Sequence, residues 1–275
     1  MQNIAHTWET NAYLTDEENA LAREFMTKGY VIKPVVCFEA LSDIRDTFCR
    51  LAADYLGMDT PKDSMNFLNQ IHKLVSVEKL NEFRLAMIRG INSCDRFRIW
   101  YFQVVRSYLH TIVGNELAMQ MRVNLSIQMP HDTSSLLAVH SDTWNGDSPY
   151  EVVVWLPVVD CYGTKAMYIL PPGPSHELVS NFSIRAGTSG EELYQSIRNQ
   201  VEWLEVKYGE VLVFDQALPH GNRVNTENET RWSMNCRFKQ VFTPYGDKKL
   251  GEFFEPVSVR PASKLGLKYQ LPEAK

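Results

Sequence analysis

The sequence predicts an α+β fold with a mainly β core: a double-stranded β-helix, or jelly roll, with a packed N-terminal helical layer. Three observations lead there. Apolar residues recur at intervals of three and four through the first third of the chain, and from Met119 onward the period changes to two. The later runs are short and separated by Gly and Pro, as in antiparallel sandwiches and barrels rather than parallel sheets. With 275 residues, 44% hydrophobic and 22% charged, the chain has enough apolar side chains for one sizeable core. No repeat, low-complexity tract or linker divides it. It reads as a single domain over 1–275: a helical layer with an edge strand to about 118, a β core over 119–243 and a tail over 244–275.

Thr15-Asp16-Glu17-Glu18 is a capping box, and Gly29 supplies a left-handed stop, which predicts a helix of about thirteen residues. Tyr30 to Val36 reads as a strand. Pro34 lacks an N–H and so assigns it to a sheet edge. Leu41, Ile44, Phe48, Leu51 and Tyr55 share one buried helical face, ended by Gly57. Pro61 to His72 follows no period. Val77 to Arg89 and Asp95 to Val113 read as helices closed by Gly90 and Gly114, with Leu80, Phe83 and Met87, then Phe97, Trp100, Val105, Leu109 and Ile112, as packing faces.

Met121, Val123, Leu125 and Ile127 then alternate with Arg122, Asn124, Ser126 and Gln128. In a closed β structure one row packs under helices and the other surrounds a polar cavity. Further strands are expected at Leu136 to Ser141, Glu151 to Val158, Ala166 to Leu170, Val201 to Lys207, Tyr208 to Phe214 and Thr230 to Gln240. Trp155 lies in an apolar run and reads as core. Gly187 to Gln200 carries a second capping box, Ser189-x-x-Glu192, and reads as a helical insertion, either surface decoration or a lid.

The net charge of -5, without a Lys/Arg block, speaks against nucleic acid or an anionic membrane surface as the main partner and favours a small-molecule substrate. Five cysteines at irregular spacing, with no C-x-x-C, indicate neither a zinc knuckle nor a disulfide framework. The start lacks a basic and apolar leader pattern, and no apolar run approaches the roughly eighteen residues of a spanning helix. A cytoplasmic monomer or homodimer is expected.

His140 and Asp142 stand two positions apart, so in a strand they share a face, and His220 follows the run Tyr208 to Phe214. Two neutral imidazoles and one hard carboxylate on one side of a metal suit iron(II) and leave positions free. The spacing alone is a weak signal, and an ordinary hydrogen-bonded polar cluster is the other reading. His6, His72, His110, His131 and His176 have no partner at ligand spacing. The alternation after Thr230 places Arg231, Ser233, Asn235 and Arg237 on one face and Trp232 on the other.

VVVWLPVVDCYGTKAMYILPPGPSH (Val152 to His176), YGEVLVFDQALPHGN (Tyr208 to Asn222) and the R-x-S at Arg231 and Ser233 resemble the iron(II)/2-oxoglutarate dioxygenases of the phytanoyl-CoA hydroxylase-like superfamily. HSDTWNGDSPYEVVVWLP, HGNRVN and ETRWSMNCRFK look closest to its streptomycin-cluster-like members from carbohydrate clusters. The likeness covers roughly Met119 to Gln240. It implies a cupin-like jelly roll, Fe(II) held by His140, Asp142 and His220, 2-oxoglutarate as co-substrate, and dioxygen. Arg231 and Ser233 have the types to bind the co-substrate's distal carboxylate, a guanidinium giving two parallel donors and the hydroxyl a third. Asn124, Ser126 and Gln128, on the earlier polar row, are candidates for its other carboxylate, with Gln128 preferred. Trp144, Asn222 and Arg237 are candidates for substrate contact, with a surface acid as the other partner for Arg237.

The presence of Asp142 argues against a halogenase, which needs that ligand position open. The expected function is hydroxylation of a small polar substrate such as a sugar or sugar nucleotide. The alternatives are a metal-dependent isomerase or epimerase that consumes no oxidant, and a non-catalytic carbohydrate-binding protein of the same fold.

Overall fold

The computed structural model describes residues 11–181, 187 and 189–272. Thr15 caps α1 (Asp16–Lys28) reciprocally with Glu18, and Gly29 closes it at φ 74°. The chain turns directly into β1 (Tyr30–Pro34), which pairs with β7 (Glu210–Asp215) and ends the sheet on that side. α2 (Phe38–Leu56) buries Leu41, Ile44 and Phe48 and stops at Gly57 in the left-handed region. Tyr55, expected on that buried face, lies at its rim, 36% exposed and edge-on to Phe83. The aperiodic stretch contains the short helix α3 (Ser64–Asn69), capped by Asp63.

Two helices differ from expectation. α4 (Leu80–Asn92) runs through Gly90, which therefore is no stop; its missing Cβ admits Leu51, whose Cδ2 would lie 2.6 Å from one. The helix expected from Asp95 to Val113 breaks into α5 (Phe97–Gln103) and α6 (Arg106–Ile112). At the break, the Val104 carbonyl accepts from Val36 N–H at 2.9 Å, a bond to a distant segment in place of the helical one.

The strand expected around Met121 to Gln128 is shortened to β3 (Asn124–Gln128), and a separate strand, β2 (Leu117–Gln120), precedes it. Both pair with β9 (Arg231–Gln240), whose ten residues offer successive partners: 238–240 to β2 and 231–235 to β3. β4 (Glu151–Pro157), buried at every position, lies between β7 and β9. The segment expected as a tail supplies β10 (Phe254–Ser258), which extends this sheet beyond β2. A second sheet has the order β6 (Glu202–Leu204), β5 (Met167–Ile169), β8 (His220–Gly221). Leu136 to Ser141 is not a strand; it makes a single bridge, His140 to His220.

The helices cover the outer face of the large sheet. Trp232 turns toward them, its ring edge-on to Phe48 and Phe83 and its Nε1 donating to Leu68 O at 2.9 Å. Alternation along β9 therefore turns Arg231 and Ser233 the other way, between the sheets. The two sheets pack through Val153, Trp155, Met167, Ile169, Leu212 and Phe214. After α7 (Pro172–Ser180), α8 (Gly190–Ile197) has the expected Ser189–Glu192 capping box and packs Leu193 and Ile197 against Val139, Tyr168 and Leu170; residue 188 of that insertion lies outside the described residues. Among the described residues no helix is long and apolar enough to cross a membrane.

Candidate metal centre

His140 and His220 are brought together by their own backbones. His140 N–H donates to His220 O at 3.1 Å and His220 N–H to His140 O at 2.8 Å, and the ring centroids are 4.3 Å apart. β5 flanks the other side of β8. So narrow a slot dictates the next residue: a Cβ on Gly221 would lie 2.6 Å from Tyr168 Oη and 2.8 Å from Leu137 O.

Each imidazole has its Nδ1 2.8 Å from the carbonyl two residues earlier, Ala138 O for His140 and Leu218 O for His220. A carbonyl only accepts, so Nδ1 carries the proton in both rings and Nε2 presents a lone pair. Asp142 opens a short 3₁₀ turn, Asp142–Asn145, closed by Gly146 at φ 86°, and its N–H donates to Gln216 O at 3.1 Å. Its Oδ1 lies 3.7 Å from His140 Nε2, and one ligand atom from each of the three residues falls within 4.8 Å of the others. Burial first, then the His140 ring, lowers the His220 pKa to about 4, so this imidazole is neutral and available to a metal at ordinary pH. Two oriented imidazoles and a carboxylate fit a divalent first-row metal.

Arg237, a candidate for substrate contact or for an acid, lines the cavity and is engaged there by acids of the protein. Its Nη2 lies 2.7 Å from Asp142 Oδ2, its Nε lies 3.2 Å from Asp147 Oδ2, and Nε also donates to Gln216 Oε1 at 3.1 Å. Lys248, from the segment expected as a tail, holds the same Asp147 oxygen at 2.6 Å. The guanidinium thus caps one oxygen of the candidate ligand and leaves Oδ1 toward the histidines.

Arg231 is buried, and its Nη2 donates to Ser126 Oγ at 3.0 Å and its Nη1 to Ala166 O at 3.4 Å. Its Nε and the Ser233 hydroxyl are buried with no partner, and no carboxylate among the described residues pairs with it. Burial lowers this guanidinium to about 10, with Arg84 pushing the same way and Cys161 opposing. A buried charge is costly unless paired, so the residues present fit an anionic ligand here.

The triad, Arg231, Ser233 and Arg237 line one cavity of about 440 Å³, with Trp155, Val153 and Phe214 as apolar wall. Trp155 is therefore a wall as well as core. Trp144 lies off the cavity lining and packs against the Val139, Tyr168 and Leu170 cluster. Asn222 lines the cavity but is engaged in clamping the neighbouring segment, accepting from Leu137 N–H at 2.6 Å and donating to Ser135 O at 3.1 Å. Gln128 lies outside the lining and donates to Arg223 O at 2.6 Å, whereas Asn124 lines it and donates to Asn235 Oδ1 at 2.8 Å. Sequence reasoning missed Arg84, on α4. The signal was there: Arg84 lies four after Leu80 and three before Met87, a charge at a buried-face position.

No family model and no curated protein sequence matches the chain. Solved structures do. The non-heme monooxygenase ThoJ in complex with nickel covers 92% of this chain and 89% of its own at 15% identity, TM-score 0.55. The non-heme alpha-ketoglutarate-dependent epimerase SnoN from nogalamycin biosynthesis covers 86% and 85% at 13% identity, TM-score 0.52. HygX from Streptomyces hygroscopicus, with nickel and 2-oxoglutarate bound, covers 84% and 89% at 15% identity, TM-score 0.50. At these identities the similarity establishes the fold: mixed helix and antiparallel sheet, shared with non-haem enzymes.

Proposed function

We propose that the chain is a non-haem iron(II)- and 2-oxoglutarate-dependent oxygenase, of jelly-roll type, that hydroxylates a small polar substrate such as a sugar or sugar nucleotide. The observation that carries this reading is one cavity that joins a carboxylate and two Nε2-presenting histidines to a buried, uncompensated guanidinium. A redox-neutral isomerase or a binding protein acting on a neutral sugar has no use for that second feature. The neighbours named above support the reading through their fold, and the sequence likeness supports the substrate class.

His140, Asp142 and His220 hold the metal, and Arg237 keeps Asp142 turned toward it. Iron(II) bound there supplies activation of dioxygen, coupled to oxidative decarboxylation of 2-oxoglutarate to succinate and carbon dioxide. Arg231, Ser126 and Ser233 receive the distal carboxylate of 2-oxoglutarate, which would satisfy the free Nε and hydroxyl. Asn124, which lines the cavity, is better placed for its other carboxylate than Gln128, which does not. Trp155, Val153 and Phe214 keep water from the cavity wall.

Purified protein is expected to bind about one iron(II) per chain and to release succinate when given 2-oxoglutarate and oxygen. His140→Ala and Asp142→Ala should each abolish turnover while circular dichroism shows the fold retained. A double variant that binds iron and forms succinate like the parent places the site elsewhere. Within a panel of sugars, sugar nucleotides and acyl-CoAs, coupling to acyl-CoA alone overturns the polar substrate, and conversion without succinate favours the isomerase.

A further inference from the structure

Arg84 enters the cavity from the helical layer, and no role assigned so far uses it. Its Nη2 donates to Ile127 O at 3.1 Å and to Ser135 Oγ at 2.6 Å. Ile127 is the neighbour in β3 of Ser126, whose Oγ accepts from Arg231 Nη2. Two guanidiniums therefore stand beside consecutive residues of one strand. The Nε of each is buried with no partner, and neither forms an ion pair with a described carboxylate. Asp132 offsets Arg84 only at one remove, accepting from Ser135 Oγ at 2.7 Å. Asp142, the carboxylate lining the cavity, is already engaged by Arg237. Burial lowers the pKa of both arginines, and Arg84 adds to the effect on Arg231.

Like charges held away from water repel, and a shared anion turns that repulsion into attraction. We propose that Arg84 is a second anchor for the distal carboxylate of 2-oxoglutarate, which is then held between a guanidinium of the sheet and one of the helical layer. The proposal rests on the co-substrate reading above and extends it. It makes Arg84 a specificity-determining residue for dicarboxylic over monocarboxylic 2-oxo acids, and it makes α4 part of the site.

The test titrates the anaerobic iron(II)-loaded protein with 2-oxoglutarate and with 2-oxobutyrate, which has the same 2-oxo acid end and no distal carboxylate. The metal-to-ligand absorption band reports binding. Arg84→Gln is expected to raise the Kd for 2-oxoglutarate about tenfold, the size of a lost charge-assisted hydrogen bond, and to leave that for 2-oxobutyrate within about twofold. Arg84→Lys should fall between, since it keeps the charge and loses the fork. An equal loss for both acids marks Arg84 as structural and overturns the proposal. Unchanged 2-oxoglutarate affinity also overturns it. If the parent binds neither acid, the co-substrate reading itself has failed.

Discussion

Asp142 has two oxygens with different neighbours: Oδ1 faces His140 Nε2 at 3.7 Å, and Oδ2 takes Arg237 Nη2 at 2.7 Å. Arg231 and Arg237 share a face of β9 yet differ in surroundings: of the two, only Arg237 meets a carboxylate among the described residues. Arg231→Ala is expected to raise the Kd for 2-oxoglutarate at least about tenfold with iron affinity little changed, and Arg231→Lys to restore part of it. Arg237→Ala is expected instead to weaken iron binding, on the order of tenfold or more, as loss of the group that orients a metal ligand does. Iron affinity from competition with a chelator, and co-substrate affinity from the absorption band, separate the two. A tenfold co-substrate loss in Arg237→Ala but not in Arg231→Ala reverses the roles. The R-x-S spacing made Arg231 and Ser233 legible in the sequence. The partner of Arg237 was not, since Asp142 is distant along the chain and the turn that presents it is held by Gln216.

β8 consists of His220 and Gly221, flanked by β5 on one side and bridged to His140 on the other. Gly221→Ala is expected to lower the melting temperature and to weaken metal binding, because the Leu137 carbonyl that the new methyl would meet at 2.8 Å is backbone and cannot swing away. Overpacking of this kind costs about 1 to 3 kcal/mol. Adding Tyr168→Phe removes the hydroxyl at 2.6 Å but not the carbonyl, so it should rescue only part of the loss. An unchanged melting temperature in Gly221→Ala would mean that the slot is wider than described. The elements that the sequence placed well, α1, α2, β4 and β9, carry their signals locally in caps, periods and apolar runs. The elements that it placed poorly were broken by distant partners. Val36 takes the Val104 carbonyl and interrupts a helix, and the length of β9 accommodates β2 and β3 as separate strands.

For the whole molecule, the buried His220 links stability to pH. Its pKa is lowered from 6.5 to about 4, so between those values the unfolded chain binds more protons than the folded one, and stability rises with pH. The metal-free protein is therefore expected to lose stability as pH falls from about 6.5 toward 4, by on the order of 3 kcal/mol from this group. Melting temperatures of the metal-free parent and of His220→Gln across that range check it. The variant should show a flatter profile, and parallel profiles would rule out a buried neutral imidazole. By itself, the sequence determined the α+β class, the capped helices and the alternating strands, and with the family likeness it named three candidate metal ligands. The helices and strands arise from residues within a few positions of each other, where geometry repeats with the chain, whereas His220, distant along the chain, was joined to His140 and Asp142 by the family likeness. Only the tertiary structure decided that Arg237 belongs to Asp142, that Arg84 reaches the cavity, that Trp144 does not line it, and that the 254–258 segment completes a sheet. These depend on which distant segments pack together, a choice made by burial and charge pairing across the fold and carried by no local period.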